Sequence, residues 1–202
     1  LHAVQKLGHK VAIVTGRPYR SSKEIYNQLN LGGPIVNFNG ALCHIPSKPE
    51  WDGRYHITLD TDLVLDLVAF NKTLPVDYLM VEGTELMYSN ITELPDCPYY
   101  PKDQKPLLIH PTTKLKEKPT AVALFSDLEL QSEIKKKILH RYNNGIEVRT
   151  WGGSYPCLEV ITSGIHKAKA VEHLSRYYDI HQKDILAFGD EDNDMEMIQY
   201  AG

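Results

Sequence analysis

Two short apolar runs constrain this chain more than any other feature in it. Val11-Ala12-Ile13-Val14 and Ile185-Leu186-Ala187-Phe188 are each continuous and each stopped by a polar turn. Such a run predicts a strand buried on both faces, the kind found inside a parallel sheet. The two lie near opposite ends of 202 residues. One sheet can hold both only if the chain between them leaves the sheet and later returns.

The residues between them divide by pattern. Leu1, Val4 and Leu7 fall at helical spacing, and Gly8 closes that helix as a C-terminal cap. Thr15-Gly16-Arg17-Pro18 stops the first apolar run. Ser21 or Ser22 then predicts the cap of a helix that turns Ile25, Leu29 and Tyr26 inward. After Gly32-Gly33-Pro34, residues 35–38 read as a second strand, Asn39-Gly40 as a hairpin turn into residues 41–45, and Asp52-Gly53 as a turn into 55–59. Beyond that point the pattern predicts a helix over 63–70, strands over 78–81 and 86–89, and a loop rich in proline from Pro95 to Pro111. A strand over 120–125, a helix over 128–142 and strands over 146–150 and 157–161 follow. Helix and paired strands thus recur on both sides of the proline-rich stretch, a repetition of architecture without sequence identity. A helix through Lys169, Leu174 and Tyr178, the apolar run at 185–188 and a helix beginning near Asn193 complete the chain. The fold class is therefore α/β: a Rossmann-like parallel-sheet core from residues 1–58 and 163–202, with an α+β cap domain over 59–162 inserted into it. The core reads as cut short at both ends, because the chain opens inside a helix and stops barely two turns into another.

Composition narrows the function classes. A net charge of −4 lacks the basic excess of a nucleic-acid protein, and no apolar run approaches the roughly 18 residues of a membrane span. No basic segment followed by an apolar stretch marks a signal peptide. Cys43, Cys97 and Cys157 are few and widely spaced, which fits a reducing, cytoplasmic compartment and no metal knuckle. The nine histidines show no metal-ligand spacing. Nothing in the chain specifies an oligomeric state.

Polar groups concentrate where each buried run ends: Thr15-Gly16-Arg17 after the first, and Gly189-Asp190-Glu191-Asp192-Asn193-Asp194 after the second. Ligands of open parallel sheets bind at that edge, where loops and helix N-termini converge. A threonine hydroxyl and a glycine amide suit phosphate oxygens, and Arg17 adds charge. Asp190 and Asp194 are hard oxygen donors of the kind magnesium takes. Lys167, just ahead of a helix, offers a cation opposite them. Taken singly, each has a plainer reading as a turn, a helix cap or a solvated lysine.

Together these stretches, with Asn39-Gly40-Ala41 and Gly164-Ile165-His166-Lys167, resemble the haloacid dehalogenase superfamily of phosphohydrolases, in its Cof-type branch with a large α/β cap. The resemblance covers essentially the whole chain. It implies a magnesium-dependent phosphatase acting on small phosphorylated metabolites, such as sugar phosphates, through an aspartyl-phosphate. Thr15 and Gly16 would bind the phosphoryl group, Lys167 would neutralise it and Asn193 would hold one of its oxygens. Asp190 would ligate magnesium with Asp194 in support, and Arg17 would lie near the substrate phosphate as a further catalytic residue. The inserted cap would cover the site and choose the substrate, with Tyr88, Tyr99, Tyr100, Trp151 and Tyr155 as candidate lining or, equally, as part of the cap's own core. Ala168 stands where the family has glycine.

One family element is missing from the 202 residues. The Asp-x-Asp motif that supplies the nucleophile and acid/base has no counterpart, since Asp60-Thr61-Asp62 follows the hairpin and leads into the cap. In the family that motif ends a central strand between the two apolar runs. The chain as written is therefore expected to be inactive by itself, and the missing stretch is expected to precede Leu1. Two alternatives stand beside this reading: a catalytically inactive phosphate-binding or regulatory homologue, and a phosphosugar mutase of the same superfamily.

Overall fold

The N-terminal residues build short helices on a small four-stranded sheet. In the computed structural model, which describes residues 1–96, 104–142, 144–152 and 154–202, these are α1 (His2–Lys6), β1 (Ile13–Val14), α2 (Tyr19–Leu29), β2 (Ile35–Asn37), β3 (Leu42–His44) and β4 (Tyr55–His56). The sheet runs β1-β2-β3-β4. β1 lies parallel to β2, and the other neighbours are antiparallel. Pro18, with its φ fixed at −62°, stands at the N-cap of α2 and brings no N–H of its own to that helix end. Ser22 is not the cap of that helix. It sits one turn in, buried, with its hydroxyl donating to the carbonyls of Pro18 (3.2 Å) and Tyr19 (3.3 Å). Tyr26, one turn further, takes the inward position and donates to the Gly33 carbonyl at 2.7 Å. Ile25, expected to face the core, is instead 53% exposed, because neighbouring residues on a helix point about 100° apart.

The Asn39-Gly40 turn also differs from a two-residue hairpin. Phe38 and Asn39 both lie in the left-handed region (φ 52° and 55°), Gly40 follows at φ 109°, and the chain makes a 3-10 turn before β3. β2 and β3 still pair antiparallel, with Ile35 opposite His44 and Val36 opposite Cys43.

The inserted residues form a second unit, Thr58–Gly164; the first comprises Leu1–Ile57 and Ile165–Gly202. Asp60 begins it by accepting the Leu63 N–H at 2.9 Å, which caps α3 (Thr61–Phe70). β5 (Tyr78–Glu82), β6 (Met87–Ser89), β7 (Leu107–Leu108), β8 (Ala121–Phe125), α4 (Gln131–Arg141), β9 (Ile146–Trp151) and β10 (Cys157–Thr162) follow. The six strands run β7-β6-β5-β8-β10-β9, antiparallel except β6 with β7. β7 falls inside the predicted proline-rich loop, since two residues carry no readable alternation. Val64 and Leu67 of α3 and Ile134 and Ile138 of α4 pack on one sheet face against Leu79, Val122 and Leu158. Tyr88 belongs to this core, its hydroxyl oxygen accepting the Lys116 N–H at 2.9 Å, so it is no lining residue. Tyr155 packs on a second cluster with Tyr78, Met80 and Phe125. Cys97, Tyr99 and Tyr100 lie outside the described residues.

The returning chain supplies α5 (Lys167–Tyr178) and α6 (Met195–Tyr200), which pack together. Ala170 and Leu174 of α5 bury against Val36 and Cys43 of the sheet. Residues 185–188, expected as a buried strand, form none: Leu186 is 76% and Phe188 81% exposed. β1 is the edge of its sheet and ladders only with β2. With no strand offered beside them, residues 185–188 have no ladder to join, and an isolated strand has no stability of its own. Only Ile13 and Val14 of the first run are strand, and they are half-buried. No helix among the described residues is long and apolar enough to cross a membrane.

A buried polar cluster braces this unit. The Asn37 amide nitrogen donates to the Arg17 carbonyl (2.9 Å) and to the Ser22 hydroxyl (3.0 Å), and its oxygen faces the His44 Nε2 at 3.1 Å. Burial pushes His44 down to about 4, with the charges of Arg54 and His56 adding to it. Between pH 6.5 and 4 the unfolded chain therefore binds a proton at this histidine and the folded chain does not. Stability falls as pH drops through that window, by up to about 3 kcal/mol from this residue, and levels off below it. Urea unfolding at pH 7 and pH 4.5 should show His44→Gln losing that share of the acid sensitivity relative to the native chain.

Candidate active site

The site is assembled from four places in the first unit. The loop after β1 is held by the turn that follows β2. The Thr15 carbonyl accepts the Asn39 N–H (3.1 Å), and the Arg17 carbonyl accepts the Phe38 N–H (3.3 Å) as well as the Asn37 amide. Within the loop the Thr15 hydroxyl accepts the Arg17 N–H at 3.2 Å, which leaves its own proton to donate. Gly16 lies flat on the Asn39 side chain: a Cβ there would stand 2.9 Å from Oδ1 and 3.2 Å from Nδ2. Any other residue would push this amide away.

Lys167 opens α5, just after His166, whose ring nitrogen accepts the Lys169 N–H. It is only 6% exposed, which is rare for a lysine without a partner. Its ammonium donates to Asn193 Oδ1 at 3.0 Å and to Asp194 Oδ1 at 2.7 Å. Asn193 Nδ2 donates in turn to Asn39 Oδ1 at 2.9 Å. The turn after β2, the start of α5 and the acidic loop before α6 are thereby joined side chain to side chain, and the loop after β1 joins them through its backbone. Two of the three ammonium hydrogens are engaged among the described residues, leaving one for a ligand.

Asp194 anchors the acidic loop. Its second oxygen accepts the backbone N–H groups of Asp190 (3.2 Å) and Glu191 (3.3 Å), and Glu191 reciprocates in a capping box. Burial pushes the Asp194 carboxyl up, but the Lys167 hydrogen bond and those two N–H groups outweigh it and hold it below the usual carboxylate range. Gly189 is required here, since a Cβ would stand 2.3 Å from that of Asp194.

Of the residues singled out in the sequence, Gly16, Lys167, Asn193 and Asp194 meet directly or through Asn39, and Thr15 borders them through its backbone. The side chains of Arg17 and Asp190 are exposed and join none of these bonds. Asn39 lies in a stretch that carries the family resemblance, but sequence reasoning gave it no role in the site. Its signal was present as Asn-Gly, but that pair reads equally as a hairpin turn. A magnesium ion finds only part of a site. Both Asp194 oxygens are committed, Asp190 and Asp192 are exposed at the loop, and no group of three or more His, Cys, Asp or Glu among the described residues is placed to hold a metal. These residues make up one side of a site, with Asp190 the carboxylate that would hold the ion.

The fold and this cluster define an α/β core with an inserted α+β unit. The chain belongs to the haloacid dehalogenase-like hydrolase family, whose profile matches residues 1–202. It is 35% identical to 5-amino-6-(5-phospho-D-ribitylamino)uracil phosphatase YitU of Bacillus subtilis (strain 168), over 100% of this chain and 76% of that protein. It is 24% identical to an HMP-PP phosphatase of Cronobacter sakazakii (strain ATCC BAA-894), over 100% of this chain and 72% of that protein. In structure it resembles a haloacid dehalogenase-like hydrolase from Bacteroides thetaiotaomicron, with a TM-score of 0.81 at 18% identity over 99% of this chain and 76% of that one.

Proposed function

We propose that this protein is a phosphatase that hydrolyses phosphate monoesters of small metabolites, with Thr15, Gly16, Lys167 and Asn193 receiving the phosphoryl group. The observation that carries this is the buried Lys167, joined through Asn193 and Asn39 to the glycine of the loop after β1. A buried ammonium with one hydrogen uncommitted among the described contacts, held by an amide that Asn39 links to the loop of Thr15 and Gly16, is built to neutralise an anion. An aspartate would attack phosphorus in line, the ester oxygen would leave, and water would then hydrolyse the aspartyl-phosphate. Lys167 stabilises the negative charge that spreads over the equatorial oxygens during both displacements.

The attacking aspartate lies, in this reading, outside residues 1–202, on a strand that ladders with the open edge of β1. The exposure of Leu186 and Phe188 and the single-sided pairing of β1 support that placement. Asp190 would be one magnesium ligand and Arg17 would face the substrate, while Asp194 positions Lys167 and the loop. Magnesium would share the neutralisation of phosphoryl oxygens. The inserted unit would act as the cap that selects the substrate, and the protein would work in the cytoplasm.

A panel of phosphorylated metabolites, led by 5-amino-6-(5-phospho-D-ribitylamino)uracil and including sugar phosphates, should show phosphate release by the natural protein that depends on magnesium. Asp190→Ala should abolish that dependence and leave the melting temperature unchanged. Phosphate binding without turnover of any ester would favour an inactive binding homologue. Phosphoryl transfer between sugar positions without release would favour a mutase.

A further inference from the structure

Asn39 holds a position that the phosphatase reading uses only in passing. Three of its features are independent. Its backbone is left-handed at φ 55°, a conformation asparagine tolerates better than other non-glycine residues. Its N–H is tied to the Thr15 carbonyl, and the next carbonyl, that of Gly40, accepts the Tyr55 hydroxyl at 2.8 Å. Its side chain is 99% buried, between Gly16 and Asn193. The amide is therefore fixed in place from the backbone on both sides.

The direction of the hydrogen bonds then follows from Lys167. An ammonium has no acceptor, so Asn193 must present its oxygen to Lys167 and its nitrogen to Asn39. Asn39 must in turn present oxygen. If Asn39 lost that acceptor, Asn193 would lose the contact that holds its amide plane, and the ammonium would be left with Asp194 as its one anchored acceptor.

We propose that Asn39 is a positioning residue: its oxygen locks the Asn193 amide, and through it the Lys167 ammonium, in the orientation that receives phosphate. The proposal rests on the phosphatase reading above, since it says how that site is held. It concerns the only side chain from the β2–β3 turn that reaches the cluster among the described contacts.

The test uses Asn39→Gly, which accepts the left-handed backbone and deletes the acceptor, and Asn39→Asp, which keeps an acceptor in the same shape. Lys167→Ala is the control for the site itself. Inorganic phosphate is titrated into each folded protein by calorimetry, and the side-chain amide signals of Asn193 are followed by NMR. We expect Asn39→Gly to weaken phosphate binding at least tenfold and to shift the Asn193 signals, and Asn39→Asp to return those signals to their native positions. A residue that served stability alone would change the melting temperature of Asn39→Gly and leave both readouts alone. Phosphate binding by Asn39→Gly within twofold of the native protein, or unmoved Asn193 signals, overturns the proposal while native binding and its loss in Lys167→Ala leave the phosphatase reading standing. If the native protein binds no phosphate, that reading fails and this proposal falls with it.

Discussion

Lys167→Ala should cost this protein both its turnover and much of its stability, and the two losses should separate in a second variant. Removing one preorganised donor to a phosphoryl group costs about 3–4 kcal/mol of barrier, roughly 10²–10³ in rate. The same change leaves Asp194 buried, at 7% side-chain exposure, without its counter-charge. Breaking a buried pair from one side costs about 3–5 kcal/mol, because the surviving charge stays desolvated. The double variant Lys167→Met with Asp194→Asn removes both charges at similar volume. It should recover most of the stability in urea unfolding and none of the turnover in steady-state assays. Lys169→Ala is the internal control. Lys169 is exposed and stands two residues on, about 200° around the helix, so it should match the native protein in both measurements. Equal behaviour of the Lys167 and Lys169 variants would remove Lys167 from the site.

Gly40→Ala should be comparably damaging, for a backbone reason. A Cβ on Gly40 would stand 2.6 Å from the His166 carbonyl oxygen, and φ there is 109°. The left-handed conformation costs an L-residue about 1–2 kcal/mol, and forcing atoms into packed space adds about 1–3. The obstacle is a backbone carbonyl at the start of α5, which cannot swing aside, so a loss of roughly 2–5 kcal/mol is expected. Gly8→Ala supplies the comparison. Its φ is also positive, at 95°, but nothing lies within 4 Å of the added carbon. It should lose only the conformational part, about 1–2 kcal/mol. Thermal unfolding of the two variants side by side separates close approach from backbone strain, and equal losses would show that the Gly40–His166 contact is not tight. Because His166 precedes Lys167, Gly40→Ala should also weaken phosphate binding, whereas Gly8→Ala should not.

Much of the architecture was legible because it depends on local pattern. The helix at α5 carries Ala170 and Leu174 inward at a spacing of four. Asp60 sits where a cap belongs, and the strands β5, β8, β9 and β10 announce themselves as apolar or alternating runs ended by turns. Gly16, Lys167, Asn193 and Asp194 stand out as site candidates by their order along the chain and by family resemblance. Tertiary structure decided what local pattern cannot. Ile25 and Tyr26 are both apolar enough to face inward, and Tyr26 won because its hydroxyl could reach the Gly33 carbonyl. Residues 185–188 have the composition of a buried strand, but a strand exists only where a neighbour offers its donors and acceptors, and β1 is paired on one side alone. Asn39-Gly40 reads as a hairpin until two successive left-handed residues turn the asparagine inward. There it bridges Gly16 and Asn193, which lie 23 and 154 residues away from it in opposite directions along the chain. Sequence alone determined which residues could carry charge, cap helices and pair in strands. Only the fold decided which of them meet, because a hydrogen bond between distant residues depends on where the backbone places them and not on their spacing in the chain.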